Sequence, residues 1–154
     1  MGIPSRRHPA FEGRAIPADA ALGPYRLTLL GVDVVEEDYA VVTESAAELE
    51  GFFGDAWPRG LTLEENRIDL AWHQREFEHG RSFAWVVRDP ARGPAPGRYI
   101  GCAYVFPPFA ERAPMAVFWW LRTGEAAHAP AFGVAFAAWL AGPPWPDLPA
   151  EIRA

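Results

Sequence analysis

The chain has 154 residues, half of them apolar and 22% charged, with a formal net charge of −6. This balance describes one globular domain that buries roughly 70% of its unfolded surface; it excludes a disordered chain and argues against a nucleic-acid binder, which normally shows a basic patch. The one cysteine, Cys102, excludes an internal disulfide and a multi-cysteine zinc site. No apolar run approaches the ~18 residues of a membrane span, and Arg6 and Arg7 are not followed by the apolar stretch of a signal peptide, so a cytoplasmic location without a membrane segment is expected. All 14 basic residues are arginine, a codon signature of a GC-rich bacterial genome without functional meaning.

Residues 1–24 hold Pro4, Pro9, Pro17 and Pro24 and keep no period, which predicts an irregular arm tied down by Phe11 and Ile16. A single domain over residues 25–154 follows. Tyr25–Leu30 alternates and suits a first strand ended by Gly31. Asp33 with Glu36 three residues on reads as a capping box. Val35, Tyr39, Val42, Ala46, Leu49 and Phe53 then step by threes and fours, predicting a helix over about Val34–Phe52. Asp55–Gly60 is a turn that carries Trp57.

Thr62 caps the next helix, with Glu65 as its capping-box partner and Gly80 at its end. Leu63, Leu70 and Phe77 share one seam seven residues apart, and Asn66 and His73 fall on that same seam. Two polar residues inside an apolar stripe admit two readings. They are core-edge groups satisfied by neighbouring backbone, or His73 looks into a cleft beside a sheet.

Three strands come next, Phe83–Val87, Tyr99–Phe106 and Met115–Leu121. The loops Asp89–Gly97 and Pro107–Pro114 are too short for crossover helices, so the three should pair antiparallel. Gly101 suggests a bulge or a close backbone approach. The apolar content of the last two strands on both faces places them under cover on both sides. Phe132–Leu140 reads as a short apolar helix, and Asp147–Ala154 leaves room for one short terminal strand. The order predicts an α+β fold with a mostly antiparallel central sheet and helices on both faces.

That order resembles the Gcn5-related N-acetyltransferase (GNAT) superfamily, the acyl-CoA N-acyltransferase fold, in a C-terminally short form. The local phrases are Leu61–Asn66 (LTLEEN), Asp69–Phe77 (DLAWHQREF), Gly101–Pro107 (GCAYVFP), Trp120–Arg122 (WLR) and Trp145-Pro146. The resemblance implies acetyl-CoA lying along the last meander strand, with Trp119, Leu121, Arg122 and Gly124 beside it. It implies a pyrophosphate turn of the pattern Arg/Gln-x-x-Gly-x-Gly/Ala, which falls on His128–Gly133. His128 stands where Arg or Gln is usual, Ala131 where the first glycine is usual, and Gly133 fits the last position. Ala131, Phe132 and Gly133 are the cofactor-binding candidates there, and Pro130 removes one N–H from the cradle.

The superfamily commonly uses a glutamate or tyrosine to handle the amine proton. The strand Met115–Leu121 has no acid, so His73, Glu76 and Tyr104 are the catalytic candidates, with Glu111 in the next loop a further one. A base near neutrality favours His73. Trp57 and His73 are the candidates for holding the acceptor, a small-molecule or peptide amine. His73 and Glu76 make only half of a metal site, so no metal is expected, and Cys102 reads as a buried structural thiol. Trp57, Trp119, Trp120 and Trp145 could line a cleft or an interface, and most read as core. The short C-terminus is expected to leave a sheet edge that a second copy covers. The alternative to an acetyltransferase is a domain of this fold that has lost catalysis and binds a small ligand or a partner chain.

Overall fold

The computed structural model describes residues 7–54 and 56–154. Pro4 and Arg6 of the expected arm and Asp55 of the expected turn lie outside the described residues. Six strands lie side by side in chain order: β1 (Ala20–Leu22), β2 (Tyr25–Leu29), β3 (Phe83–Asp89), β4 (Arg98–Phe106), β5 (Met115–Leu121) and β6 (Ala150–Arg153). Neighbours pair antiparallel except β5 and β6, which are parallel and joined by a helix, as a parallel connection requires. The expected meander is β3–β4–β5.

β3 is buried along its whole length and β4 almost so, because both faces of the sheet are covered. On one face lie α1 (Val35–Glu44), α2 (Ala46–Leu49) and α3 (Leu63–Glu78), over Val86, Cys102, Tyr104 and Trp120. On the other lies α4 (Ala129–Leu140), whose Phe132, Phe136 and Leu140 meet Trp85, Trp119 and Trp145. Each such side chain contributes about 1.5–3 kcal/mol on burial. Trp119, Trp120 and Trp145 are therefore core, as read from their apolar faces.

Gly101 answers both expectations placed on it. The β3–β4 register shifts between Val87 and Arg88, opposite Gly101 and Tyr99, so Ile100 is the extra residue of a bulge. A Cβ on Gly101 would also stand 2.1 Å from the Trp120 carbonyl oxygen. The bulge lets Tyr99, Cys102 and Tyr104 all face α1 and α3, while Ile100 faces α4.

Four local expectations are corrected. The arm contains β1, which forms a hairpin with β2 through Gly23, at φ +56°, and Pro24. The first helix opens on a 3-10 turn at Val32–Val34 without a side-chain cap, so Asp33 and Glu36 form no capping box. It also breaks at Ser45, whose hydroxyl accepts from the Thr123 amide at 3.0 Å and so ties the helix pair to the end of β5. Finally, α4 begins three residues early. Pro130 falls in its first turn, where a missing N–H costs no intrahelical bond. The Thr62 capping box is present: its hydroxyl accepts from the Glu65 amide at 3.1 Å and donates to the Glu65 carboxylate at 2.9 Å.

Candidate functional site

A cavity of about 520 Å³ opens on the face covered by α1 and α3. Asp38 of α1, Asn66 and His73 of α3, Tyr104 of β4, and Phe53 and Trp57 of the connecting segment line it. The α3 seam puts Asn66 and His73 here, two turns apart on one side of the helix. The two residues of that seam differ, and Asn66 is satisfied by a side chain, not by the neighbouring backbone expected of it. Asn66 is buried and satisfied, donating to the Asp38 carboxylate at 2.8 Å. His73 faces the cavity, its ring 5.6 Å from Tyr104.

Burial lowers the His73 pKa to about 4, although the nearby Glu76 charge opposes the fall. The ring is therefore uncharged at neutral pH and a weaker base than the near-neutral one expected from its residue type, because burial disfavours its charged form. The folded value lies below the ordinary 6.5, so the unfolded chain takes up the proton first as pH falls. Stability from this group is complete above pH 6.5 and is lost as pH drops towards 4, by up to about 3 kcal/mol. Replacing His73 by glutamine is expected to remove that loss. Urea unfolding of both proteins between pH 7 and 4 measures it, and parallel curves would show that the imidazole is not desolvated.

Tyr104 is held from below by Trp120, whose indole N–H donates to the phenol oxygen at 2.9 Å. Burial, then the neighbouring Cys102 and Asp38, push its pKa well up, so the hydroxyl keeps its proton. Phe53 packs edge-on against Tyr104 at 5.2 Å and lies 5.1 Å from Trp57. Trp57, which looks exposed in sequence, is half-buried in the cavity wall.

Asp38 is the residue that sequence reasoning missed. It is 2% exposed, and its carboxylate accepts from Asn66 and from the Tyr99 hydroxyl. Burial raises its pKa, while the bonds from Tyr99 and Asn66 pull the other way. Among the described residues no arginine or histidine forms an ion pair with it. In sequence it is one of three acids in the first turn of α1, where acids normally serve the helix dipole.

Glu76 stands apart from the cavity. It is 3% exposed and gripped by Arg81 at 2.8 and 2.7 Å, which fixes the end of α3. Glu111 is exposed in the β4–β5 loop, also away from the cavity. Cys102 is fully buried, and its thiol touches the Tyr99 hydroxyl. Among the described residues no group of three or more histidine, cysteine, aspartate or glutamate side chains could hold a metal ion, and no helix is long and apolar enough to cross a membrane.

The cofactor candidates divide into two sets. β6 pairs only with Met115–Phe118, so Trp119 and Leu121 lie where the outer edge of β5 has no partner strand among the described residues. Arg122 and Gly124 follow in the turn, Gly124 at φ +87° with open space around it. Arg122 is tied to Glu44 at 2.6 Å. The second set lies in the body of α4, not in a turn. Phe132 is fully buried, and a Cβ added at Gly133 would meet the Trp119 ring at 3.4 Å. Ala131 is exposed on the first turn.

The irregular turn is Arg122–Glu125. Glu125 precedes the 3-10 turn Ala126–His128 that leads into α4, and its carboxylate is buried. It accepts from Arg92 at 2.6 Å and Arg98 at 2.9 Å, and these arginines hold its pKa below the usual carboxylate range. His128 lies beside them with Nδ1 2.8 Å from the Tyr25 hydroxyl. A second cavity of about 570 Å³, lined by Arg88, Arg92, Arg98 and Arg122, adjoins this turn. Each of these arginines is already paired, with Glu37, Asp89, Glu125 or Glu44.

No family model matches the chain, and no curated protein is similar to it in sequence. Solved structures are similar in fold. A ribosomal-protein alpha-N-acetyltransferase in complex with coenzyme A aligns with TM-score 0.62 at 14% identity, over 80% of this chain and 67% of that one. A microcin self-immunity acetyltransferase in complex with acetyl-CoA and AMP aligns with TM-score 0.61 at 10% identity, over 81% and 67%. A ribosomal-protein-S5-alanine acetyltransferase from Vibrio fischeri aligns with TM-score 0.59 at 16% identity, over 81% and 68%. A structure described as a ribosomal-protein-serine acetyltransferase, from Vibrio cholerae, aligns with TM-score 0.59 at 11% identity, and the chain spans 65% of its length, just under two thirds. On these likenesses the chain has the fold of the Gcn5-related N-acetyltransferases.

Proposed function

We propose that the protein transfers an acetyl group from acetyl-CoA to an amine. One observation supports this above the rest. Tyr104, in the wall of the aromatic cavity, pairs across the sheet with Phe118, the last β5 residue covered by β6. The open β5 edge begins at the next residue. An extended thioester arm laid on that edge would bring its reactive end beside the cavity.

The residues present fit one half of the cofactor better than the other. The open edge around Trp119–Leu121 suits the pantetheine arm. At the α4 end, the Thr123, Glu125, His128 and Ala129 amides are already bonded, and Pro130 has none. The amides of Ala126 and Ala127 have no backbone partner among the described residues, and they and the helix dipole remain to receive phosphate. Acetyl-CoA would supply an acetyl group activated as a thioester. His73, uncharged at neutral pH, would accept a proton from the amine nitrogen as its bond to the acetyl carbon forms and the thioester C–S bond breaks. The Tyr104 hydroxyl, which keeps its proton, would protonate the departing CoA thiolate.

Calorimetry with desulfo-CoA, followed by thiol-release assays with acetyl-CoA and an amine panel, tests the reading. Ligand at a hundredfold excess over its Kd should stabilise the fold by about 2.7 kcal/mol, a melting rise of several degrees. His73→Ala should retain that binding and slow transfer by about a hundredfold. No heat and no melting shift at millimolar ligand would overturn the proposal. A second reading, a domain of this fold that binds a small ligand without acetyl-CoA, is favoured by Glu125, whose carboxylate already neutralises Arg92 and Arg98 beside the α4 start.

A further inference from the structure

The wall of the 520 Å³ cavity combines rings with acids and, among the described residues, contains no arginine. Asp38 is buried with only neutral partners, Asn66 and Tyr99, and a second carboxylate, Asp69, stands at the exposed rim of the same cavity. Transfer of a carboxylate out of water without a counter-charge is costly, and neutral hydrogen bonds offset only part of that cost. His73 adds no positive charge at neutral pH. Without a counter-charge, burial favours the protonated form of Asp38, and a cation in the cavity would stabilise its carboxylate. Around that cavity stand the rings of Phe53, Trp57, Trp72, Tyr104 and Phe106. Phe53 and Tyr104 meet edge to face, and Tyr104 stacks parallel on Phe106 at 6.3 Å. Such walls accept an apolar ring and, through their negative faces, the cation attached to it.

We infer that the acceptor is a primary ammonium on a short aromatic arm, its charge placed against Asp38 and its ring held between Phe53, Trp57 and Tyr104. This rests on the proposed transfer only for what happens after binding; the recognition stands on the cavity alone. A neutral or anionic compound of the same shape lacks the charge that would stabilise the Asp38 carboxylate. A long flexible polyamine would leave the aromatic walls unused.

The test uses the full chain without acetyl-CoA. 2-Phenylethylammonium, its neutral isostere 2-phenylethanol and the ringless propylammonium are titrated by calorimetry, with NMR shifts to report the site. The aromatic ammonium is expected to bind at least tenfold more tightly than either comparison compound. Asp38→Asn should erase its advantage over the alcohol. Phe53 is already 38% exposed, so Phe53→Ala can be made without emptying the core, and it should erase the advantage over propylammonium. Equal affinity for the ammonium and the alcohol, or no binding at millimolar concentration, would overturn the inference. The two readings fail separately. Phenylethylammonium that binds in this pattern but is not acetylated when acetyl-CoA is added supports the inference and counts against transfer. Acetylation of ringless amines without phenylethylammonium binding overturns the inference and leaves transfer standing.

Discussion

Alanine at position 101 is expected to destabilise the protein by at least about 3 kcal/mol, a large part of the 5–15 kcal/mol available to a domain. The added methyl carbon would stand 2.1 Å from the Trp120 carbonyl oxygen and 3.1 Å from the Leu121 Cα. Both contacts are with the backbone of β5, so no side-chain rotation relieves them. Relief requires β4 and β5 to part at the pair Gly101–Leu121. That movement would disturb Trp120, whose indole holds the Tyr104 hydroxyl in the cavity wall. The loss should therefore appear twice, as a lower urea midpoint and as an altered tryptophan signal before unfolding begins. Gly124→Ala is the control. It has a positive φ but open space, and should cost only about 1 kcal/mol. A wild-type midpoint for Gly101→Ala would mean that the β4–β5 register is wrong.

The elements that could be read from sequence are those whose cause is local. Thr62 and Glu65 are three residues apart, and they form the capping box that the spacing describes. The short loops after Asp89 and Phe106 force antiparallel pairing. Gly101 marks the bulge because few other residues suit it. The features that could not be read depend on partners far along the chain. Asp38 meets Asn66 28 residues away and Tyr99 61 residues away, so nothing near it distinguishes a buried carboxylate from an ordinary first-turn acid. The first helix ends at Ser45, whose hydroxyl receives the Thr123 amide 78 residues later. Glu76 resembles a solvated acid until Arg81 is seen to fold back around the helix end and bury it. The start of α4 is misjudged for a different reason. Pro130 looks like a helix breaker, yet the first turn is the one place in a helix that tolerates it.

Phe132→Ala should decide what the first turns of α4 are for, and it is expected to cost about 3–5 kcal/mol. The ring has no exposed surface. It lies 5.3 Å from Trp119, 5.4 Å from Phe136 and 5.5 Å from Tyr25, in a cluster that bonds α4 to β1, β2 and β5. Loss of the ring leaves a cavity that these neighbours cannot fill without leaving their own contacts, since each is pinned to a strand or to the helix axis. Tyr25 also carries the contact to His128, so the damage should reach the turn before α4. A fall of roughly 10 °C in melting temperature would follow. Desulfo-CoA titrated at a temperature where the variant is still folded separates the two roles. If the residue is core, folded variant protein should bind the ligand within a few-fold of the wild type. If it is a cofactor contact, affinity should fall by more than tenfold while the melting temperature barely moves. Gly133 on the next position makes the same distinction from the opposite side. Its Cβ site faces the Trp119 ring at 3.4 Å, an ordinary contact, so alanine there should be accepted by the fold, and a loss of affinity would report on the ligand alone. Together the pair would show whether α4 holds the sheet that carries the site or touches the ligand itself.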